Sequence, residues 1–211
     1  MDFKKITVAG SGVLGAQIAF QTAFHGFDVI VYDISDEALS KLQKTFDRLK
    51  QAYQEDLNAS PEKVEQAEAR ISTTTDLTEA VNDADLVVES VPENVDIKTD
   101  FYQKLGKVAP EKTVFATNSS TLLPSMFAEA TGRPEKFLAL HFANEIWKHN
   151  TAEIMGHEGT SKEPYDAVVA FAKAIGMVAI PLHKEQPRYV VNTLLVSLLD
   201  AGLELWAKEV A

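Results

Sequence analysis

One histidine of this chain stands where an acid–base group could act. His141 follows the apolar residues 138–140, at the end of a predicted strand, and Glu153 lies on the next predicted strand. An imidazole bonded to a carboxylate is held in one tautomer and is stabilised when it takes up a proton. Of the five histidines, only His141 has both this placement and a nearby carboxylate. The pair could remove a hydroxyl proton, although a histidine after an apolar run can also be a satisfied core or surface residue.

A glycine-rich turn near the N-terminus has the spacing of a phosphate-binding loop. Gly10, Gly12 and Gly15 lie between the apolar residues 6–9 and a predicted helix that ends near residue 25. In this pattern the first glycine permits a tight turn, the second lets the backbone approach a pyrophosphate, and the third lets the helix pack closely on the strand. The start of the helix adds unpaired N–H groups and the positive end of its dipole.

An acid follows the second strand at the position that decides between two dinucleotides. Asp33 ends the apolar residues 28–32, where its carboxylate can accept hydrogen bonds from ribose hydroxyls and would repel a 2′-phosphate. No Lys or Arg occurs at positions 34–40 to neutralise such a phosphate. The pattern therefore predicts NAD as the cofactor. The expected binding residues of this loop are Gly10, Ser11, Gly12, Val13, Leu14, Gly15 and Asp33.

The elements that must position these residues alternate between strand and helix. Ser35 is expected to cap one long helix that reaches residue 57, and Ser60 with Pro61 begins a second helix. Such alternation predicts an α/β fold with a doubly wound, mostly parallel sheet in an NAD-binding domain of residues 1–185. The later strands are expected at residues 71–73, 85–89, 113–117, 137–141, 151–155 and 177–181.

The last residues of the chain have a different character. Apolar residues from Val190 to Trp206 cover more than one side of a predicted helix, which is typical of a helix buried on several sides. Either another subunit covers this helix, or residues 186–211 are the first helix of a truncated C-terminal helical domain, which is the interpretation we favour. Polar and charged residues interrupt the segment, so it is not expected to span a membrane.

Composition excludes several classes of function. The chain has 20 Lys and Arg against 31 Asp and Glu, a formal net charge of −11, which argues against nucleic acid or an anionic membrane as partner. The absence of cysteine excludes disulfides and thiolate zinc sites and fits a cytoplasmic location. His149, Glu153 and His157 are spaced as helical metal ligands could be, but residues 151–155 read as a strand, so no metal site is expected.

The order and spacing of these motifs resemble the short-chain L-3-hydroxyacyl-CoA dehydrogenase family, which includes the 3-hydroxybutyryl-CoA dehydrogenases. The matching segments extend over the whole chain and comprise residues 10–15, Asp33, residues 89–94, 118–120, 133–137, 141–144 and 153–154, and residues 190–192.

The resemblance implies a role for each matched residue. His141 falls on the family's catalytic base and Glu153 on the carboxylate that orients it, while Ser120 and Asn192 fall on groups that face the substrate. Contacts with the ribose and nicotinamide half of NAD are implied for Glu93, Lys98 and Asn144. The implied reaction is NAD-dependent interconversion of an L-3-hydroxyacyl-CoA and a 3-ketoacyl-CoA, in a protein that forms a homodimer when full length.

Three departures from the family leave the substrate open. Glu145 replaces a common proline, Arg188-Tyr189 replaces a Gly-Phe pair, and residues 54–56 (Gln-Glu-Asp) stand where a basic residue contacts CoA. One alternative is a dehydrogenase of a free 3-hydroxy acid, such as a sugar acid or a carnitine-like compound. Another is a nucleotide-binding module that holds NAD(H) without turnover.

Overall fold

The strands form one twisted sheet whose order reverses beside the first strand. A computed structural model describes residues 1–210, and in it the strands follow the order β3-β2-β1-β4-β5-β6-β7-β8. All neighbours are parallel except β6 and β7, which are antiparallel. The strands are β1 Lys5–Ala9, β2 Asp28–Tyr32, β3 Ile71–Thr74, β4 Leu86–Glu89, β5 Val114–Thr117, β6 Phe137–Phe142, β7 Thr151–Gly156 and β8 Val178–Leu182. This arrangement confirms the predicted doubly wound, mostly parallel α/β sheet.

Eight α-helices connect or follow these strands within the described residues. They are α1 Val13–Phe24, α2 Asp36–Ser40, α3 Leu42–Leu57, α4 Pro61–Glu68, α5 Leu77–Val81, α6 Val95–Val108, α7 Lys162–Ala174 and α8 Val191–Ala207. The prediction of one unbroken helix from Ser35 to residue 57 is wrong. Ser35 does cap α2, but the N–H of Lys41 bonds the carbonyl of Ala38 only three residues back. This tighter turn separates α2 from α3.

The two faces of the sheet carry separate apolar cores because neighbouring side chains on a strand point to opposite sides. Val88 packs in the core beneath α1, α3 and α7, whereas the adjacent Val87 packs in the core beneath α5 and α6. Helices therefore cover both faces, and the carboxyl ends of the central strands are left to form a site.

The short connection between β6 and β7 fixes the pairing that matters most for the site. Eight residues are too few for the helical crossover that parallel strands require, so β7 returns antiparallel to β6. The register places His141 directly opposite Glu153.

The helix α8 leaves the sheet with its apolar side chains exposed. Leu198 and Trp206 are each 71% exposed, and no α8 residue is buried. None of the helices in residues 1–210 is long and apolar enough to cross a membrane. The division into residues 1–185 and 186–211 stays a prediction.

Candidate active site

His141 and Glu153 form a buried pair at the carboxyl end of β6. The imidazole Nδ1 lies 3.0 Å from Glu153 Oε2, and both residues are less than 10% exposed. Because a carboxylate only accepts hydrogen bonds, it fixes the ring proton on Nδ1 and leaves the Nε2 lone pair free. The structure thus brings together the two residues that the sequence placed on neighbouring strands.

The free nitrogen of His141 faces a serine that follows β5. Ser120 Oγ lies 3.1 Å from His141 Nε2, and Ser120 is only partly buried. The preceding Asn118 accepts the backbone N–H of Phe142 at 3.0 Å through its Oδ1, which ties the end of β5 to the end of β6. A substrate hydroxyl placed beside Ser120 would therefore meet the basic nitrogen of His141.

The second oxygen of Glu153 is bound by the start of α8. Its Oε1 accepts the backbone N–H groups of Val190 and Val191 at 2.8 and 2.9 Å. Burial alone would raise the pKa of Glu153, but the hydrogen bonds from His141, Val191 and Val190 outweigh it and lower that pKa from 4.5. The carboxylate therefore stays ionised beside the imidazole.

The glycine-rich turn fits a dinucleotide pyrophosphate. Gly10 has φ of +105°, and a side chain there would put Cβ 2.4 Å from the carbonyl oxygen of Ser90, so the protein itself requires glycine. A Cβ at Gly12, by contrast, would meet no protein atom within 4 Å. The space beside Gly12 is therefore open to a ligand, next to the N-terminus of α1, which has no side-chain cap.

A cavity of ≈ 690 Å³ continues from this turn and is bordered by Asp33. Asp33 Oδ2 accepts from the backbone N–H and the hydroxyl of Ser11 at 2.8 and 2.6 Å, and its Oδ1 accepts from Ser35 N. The exposed side chain of Ile34 gives the cavity an apolar wall. An acid at the rim and an apolar wall suit the ribose and the adenine of NAD.

Glu93 organises the loop that carries Ser120. Its Oε1 accepts from Ser119 Oγ at 2.5 Å and from the backbone N–H and hydroxyl of Thr121 at 3.0 and 2.8 Å. Burial would raise its pKa, but these hydrogen bonds and the charge of Lys98 lower the pKa of Glu93 to about 2. This carboxylate is thus ionised and holds the two residues that flank Ser120.

Lys98 lies in the interior rather than on an open face of α6. The residue is only 1% exposed. Its Nζ lies 2.5 Å from Glu89 Oε1, and it lies 3.4 Å from both Glu93 Oε2 and the carbonyl oxygen of Val91. The direct contact with NAD that the resemblance implied stays a prediction. In the structure the lysine joins Glu89 and Glu93.

Glu89 is a component of the site that the sequence reading did not single out. Its carboxylate is fully buried and also accepts from Val91 N, Tyr102 Oη and Thr117 Oγ1. One signal for it is present in the sequence: Glu89 ends an apolar strand, and Lys98 follows nine residues later. A buried charge needs a partner of opposite charge, so this spacing could have indicated the pair.

The two predicted amides, Asn144 and Asn192, follow residues that are fixed near the His141–Glu153 pair. Asn144 is exposed on the loop after β6, whose backbone is held by Gln17 Oε1 through Glu145 N at 2.8 Å. Asn192 is partly buried in the first turn of α8, two residues beyond Val190, whose N–H is bonded to Glu153. The contacts of both amides with ligands stay predictions.

The loop after β6 is also fastened to helix α3. Trp147 Nε1 donates to Asp56 Oδ2 at 2.8 Å, and Lys148 Nζ lies 2.9 Å from the same oxygen. The contact fixes this loop against the last turn of α3. It joins residues 91 positions apart, so no local pattern could have revealed it.

The rejected metal arrangement does not form a cluster. Glu153 is on a strand, His149 Nδ1 is bonded to Asn144 O, and His157 Nε2 is bonded to Pro134 O. Across residues 1–210 no three His, Asp or Glu side chains come together as metal ligands.

Known proteins match this chain over most of its length. A family model described as "3-hydroxyacyl-CoA dehydrogenase, NAD binding domain" matches residues 5–186. The human protein "Hydroxyacyl-coenzyme A dehydrogenase, mitochondrial" is 34% identical over 210 residues, which cover 97% of this chain and 67% of the human protein. An L-carnitine dehydrogenase from a Pseudomonas species is 30% identical over 202 residues, covering 96% of this chain and 62% of that protein.

A solved structure is closer still in sequence. It comes from work on the catalysis of dicarbonyl compounds by diketoreductase, and it is 53% identical to this chain with a TM-score of 0.97. The match covers 100% of this chain and 75% of that one. The chain therefore spans about two thirds to three quarters of the length of these relatives.

Proposed function

The chain belongs to the 3-hydroxyacyl-CoA dehydrogenase family, and from its site we propose that His141 is the base for hydride transfer between NAD and a 3-hydroxy or 3-keto compound. The match of an NAD-binding domain model to residues 5–186 confirms the predicted cofactor and enzyme class. The observation that carries the proposed mechanism is the chain of contacts from Glu153 through His141 to Ser120, at 3.0 and 3.1 Å.

In the direction of oxidation, His141 Nε2 takes the proton of the substrate hydroxyl. The electron pair of the O–H bond becomes the second bond of the new carbonyl as hydride leaves the carbon that bears this oxygen. NAD, when bound, supplies the carbon that accepts this hydride. Glu153 stabilises the imidazolium that forms, and Ser120 with Asn192 holds the substrate oxygens. Reduction follows the same path in reverse.

A non-catalytic binding module does not account for this arrangement. A carboxylate held by two backbone N–H groups, aimed at the imidazole and buried with it, organises a proton acceptor. Dinucleotide binding requires only the turn at Gly10, Gly12 and Gly15 with Asp33. The pair supports turnover rather than storage of NAD(H).

The leading substrate is an L-3-hydroxyacyl-CoA, or its 3-keto product, because that is the substrate class in the family's name. The human relative is named for the same chemistry. Asn192 would donate its amide to the thioester carbonyl at carbon 1, two carbons from the reacting carbon 3.

The second candidate is a 3-keto compound without CoA, and a specific contact favours it. Lys148, the cation nearest the end of α3, is bonded to Asp56, and its raised pKa reflects first that bond and then the charges of Asp56, Glu145 and Glu55. Three acids around one lysine repel the phosphates of CoA. The diketoreductase structure, 53% identical, is named for dicarbonyl compounds, and the carnitine relative for a free 3-hydroxy acid.

Turnover of two substrates separates these candidates. NADH oxidation by the whole protein is measured with acetoacetyl-CoA and with acetoacetate, a 3-keto acid without CoA, and the higher kcat/KM identifies the substrate class. The double variant Glu55→Gln, Asp56→Asn should raise kcat/KM for acetoacetyl-CoA and leave that for acetoacetate unchanged. An equal response of both substrates would contradict the proposed repulsion of CoA.

The base is tested by His141→Gln. We expect kcat to fall about 10³-fold or more, as for loss of a general base, while the dissociation constant of NADH changes less than about twofold. Turnover within tenfold of the wild type would exclude His141 as the base.

The remaining interpretations concern the whole protein. We propose that residues 186–211 begin a helical domain and that the whole protein is a cytoplasmic homodimer. Sedimentation of the whole protein at several concentrations tests the dimer, and a sedimenting monomer would contradict it.

A further inference from the structure

A tyrosine that none of the expected roles includes lies flat against the base. The ring of Tyr189 is stacked on the His141 imidazole with centroids 4.6 Å apart and planes 21° from parallel. Tyr189 is 1% exposed and is among the largest fully buried side chains of the protein. One face of the imidazole is therefore covered by an aromatic ring that also keeps water away from it.

The hydroxyl of Tyr189 ties this ring to the loop of the catalytic serine. It donates to the carbonyl oxygen of Ser119 at 2.8 Å. The next residue, Ser120, is bonded to Nε2 of the same imidazole. Burial raises the pKa of the Tyr189 hydroxyl far above its usual value, so the group stays neutral and remains a donor. Tyr189 thus contacts His141 and the residue that precedes Ser120.

The backbone around Tyr189 is held in an unusual conformation. Arg188 and Tyr189 have φ of +67° and +54°, in the left-handed region that bulky residues rarely adopt. Such a conformation is strained and persists only where the surrounding contacts enforce it. The contacts here are the stacked ring and the N–H bonds from Val190 and Val191 to Glu153.

We propose that Tyr189 is the positioning residue of the base: its ring fixes the plane of the His141 imidazole so that Nε2 faces the substrate hydroxyl while Nδ1 stays on Glu153. A hydrogen bond at Nδ1 alone leaves the ring free to rock about that bond. A nearly parallel ring at 4.6 Å removes this freedom without offering a competing hydrogen-bond donor to Nε2. This inference rests on the proposed role of His141 in catalysis.

Two substitutions separate the ring from its hydroxyl. Tyr189→Met removes the aromatic face, and Tyr189→Phe removes only the bond to Ser119. We expect kcat of Y189M to fall about 10- to 100-fold, the range for a misaligned catalytic group. KM and the dissociation constant of NADH should change less than about twofold, and Y189F should keep kcat within about threefold. The solvent deuterium isotope effect on kcat should increase in Y189M, because proton transfer becomes slower.

Tyr165→Met is the matched control. Tyr165 also donates its hydroxyl to backbone carbonyls, those of Ile154 and Leu182, but it packs beside β7 and β8 away from the base. Its loss should leave kcat within about twofold. A comparable fall of kcat in Y165M would show that removing a tyrosine that does not contact His141 has the same effect and would overturn the proposal.

The other outcomes are also decisive. Kcat of Y189M within threefold of the wild type overturns the proposal, as does an equal fall in Y189F, which would assign the role to the hydroxyl. If Y189M does not fold, the ring-current shift of the His141 Cε1 proton in the wild type tests the same contact. A resonance no further upfield than that of the exposed His183 overturns it.

Measured in parallel, His141→Gln tells apart the failure of this inference from the failure of the proposed function. An inactive H141Q with a normal Y189M rejects only the positioning role. An active H141Q rejects the mechanism itself.

Discussion

Replacing Glu153 by glutamine should remove the base while preserving the shape of the site. In the native pair, Oε2 accepts from His141 Nδ1 and Oε1 accepts from Val190 N and Val191 N. Glutamine has one oxygen where glutamate has two. If that oxygen stays on the backbone N–H groups, the amide NH₂ donates to Nδ1 and moves the ring proton to Nε2, where it blocks proton uptake.

The opposite orientation of the amide is also costly. It would restore the bond at Nδ1, but the NH₂ would then face the N–H groups of Val190 and Val191. Two backbone N–H groups would then lack an acceptor, at about 1–3 kcal/mol each, so roughly 2–6 kcal/mol favours the inactive tautomer. At about 1.4 kcal/mol per factor of ten, kcat of E153Q should fall about 30- to 10⁴-fold.

The assay is NADH oxidation under saturating substrate, with NADH binding measured separately by fluorescence. The matched control is Asp76→Asn, because Asp76 Oδ1 also accepts two N–H groups at the start of a helix, from Thr78 and Glu79, but contacts no histidine. D76N should keep kcat within about twofold. E153Q with more than a tenth of the wild-type kcat would refute the argument that the carboxylate sets the tautomer.

Three further substitutions test other parts of the site. Gly12→Ala should weaken NADH binding at least tenfold with little change in melting temperature, since its Cβ would enter space open to a ligand; unchanged titration of NADH would argue against this placement. Lys98→Met should lower the free energy of unfolding in urea by about 3–5 kcal/mol, because it leaves the buried Glu89 charge without its partner, and a loss below about 1 kcal/mol would show that the pair is not needed. Glu93→Gln tests pH dependence, because the pKa of Glu93 is lowered from 4.5 to about 2 in the folded protein. The Glu93 carboxylate therefore stabilises the fold above pH 4.5, and this contribution is lost as the pH falls towards 2. Its size is about 1–2 kcal/mol, since the side chain is 38% exposed. The stabilities of wild type and variant in urea should converge on acidification, and a constant difference would contradict the assignment.

Features carried by local chemistry were readable from the sequence. The turn at Gly10, Gly12 and Gly15 and the acid at Asp33 each follow from what a strand–turn–helix unit needs in order to approach a phosphate. His141 and Glu153 were assigned to adjacent strands, and the register of β6 and β7 places them opposite each other. In these cases a few neighbouring residues determine the outcome.

Features that depend on distant packing were not readable. The break between α2 and α3 at Lys41 arises because the Lys41 N–H bonds a carbonyl three residues back instead of four. An amphipathic pattern does not encode this change. The burial of Lys98 depends on Glu89, whose role appears only when β4 and α6 lie together. Tyr189 was noticed only as a departure from a family pattern, because nothing in its neighbourhood indicates that it stacks on a residue 48 positions earlier.

The start of α8 is bonded to the His141–Glu153 pair. Val190 and Val191 supply two N–H groups to Glu153, and Tyr189, just before them, supplies the ring against His141. The register of β6 and β7 therefore places the imidazole opposite the carboxylate, whereas the start of α8 adds two hydrogen bonds to the carboxylate and Tyr189 covers the imidazole ring. A contact on the exposed apolar surface of α8 that shifts this helix would therefore disturb proton transfer at His141 before it changes the binding of NAD. The dinucleotide loop lies between β1 and α1 and shares none of these bonds.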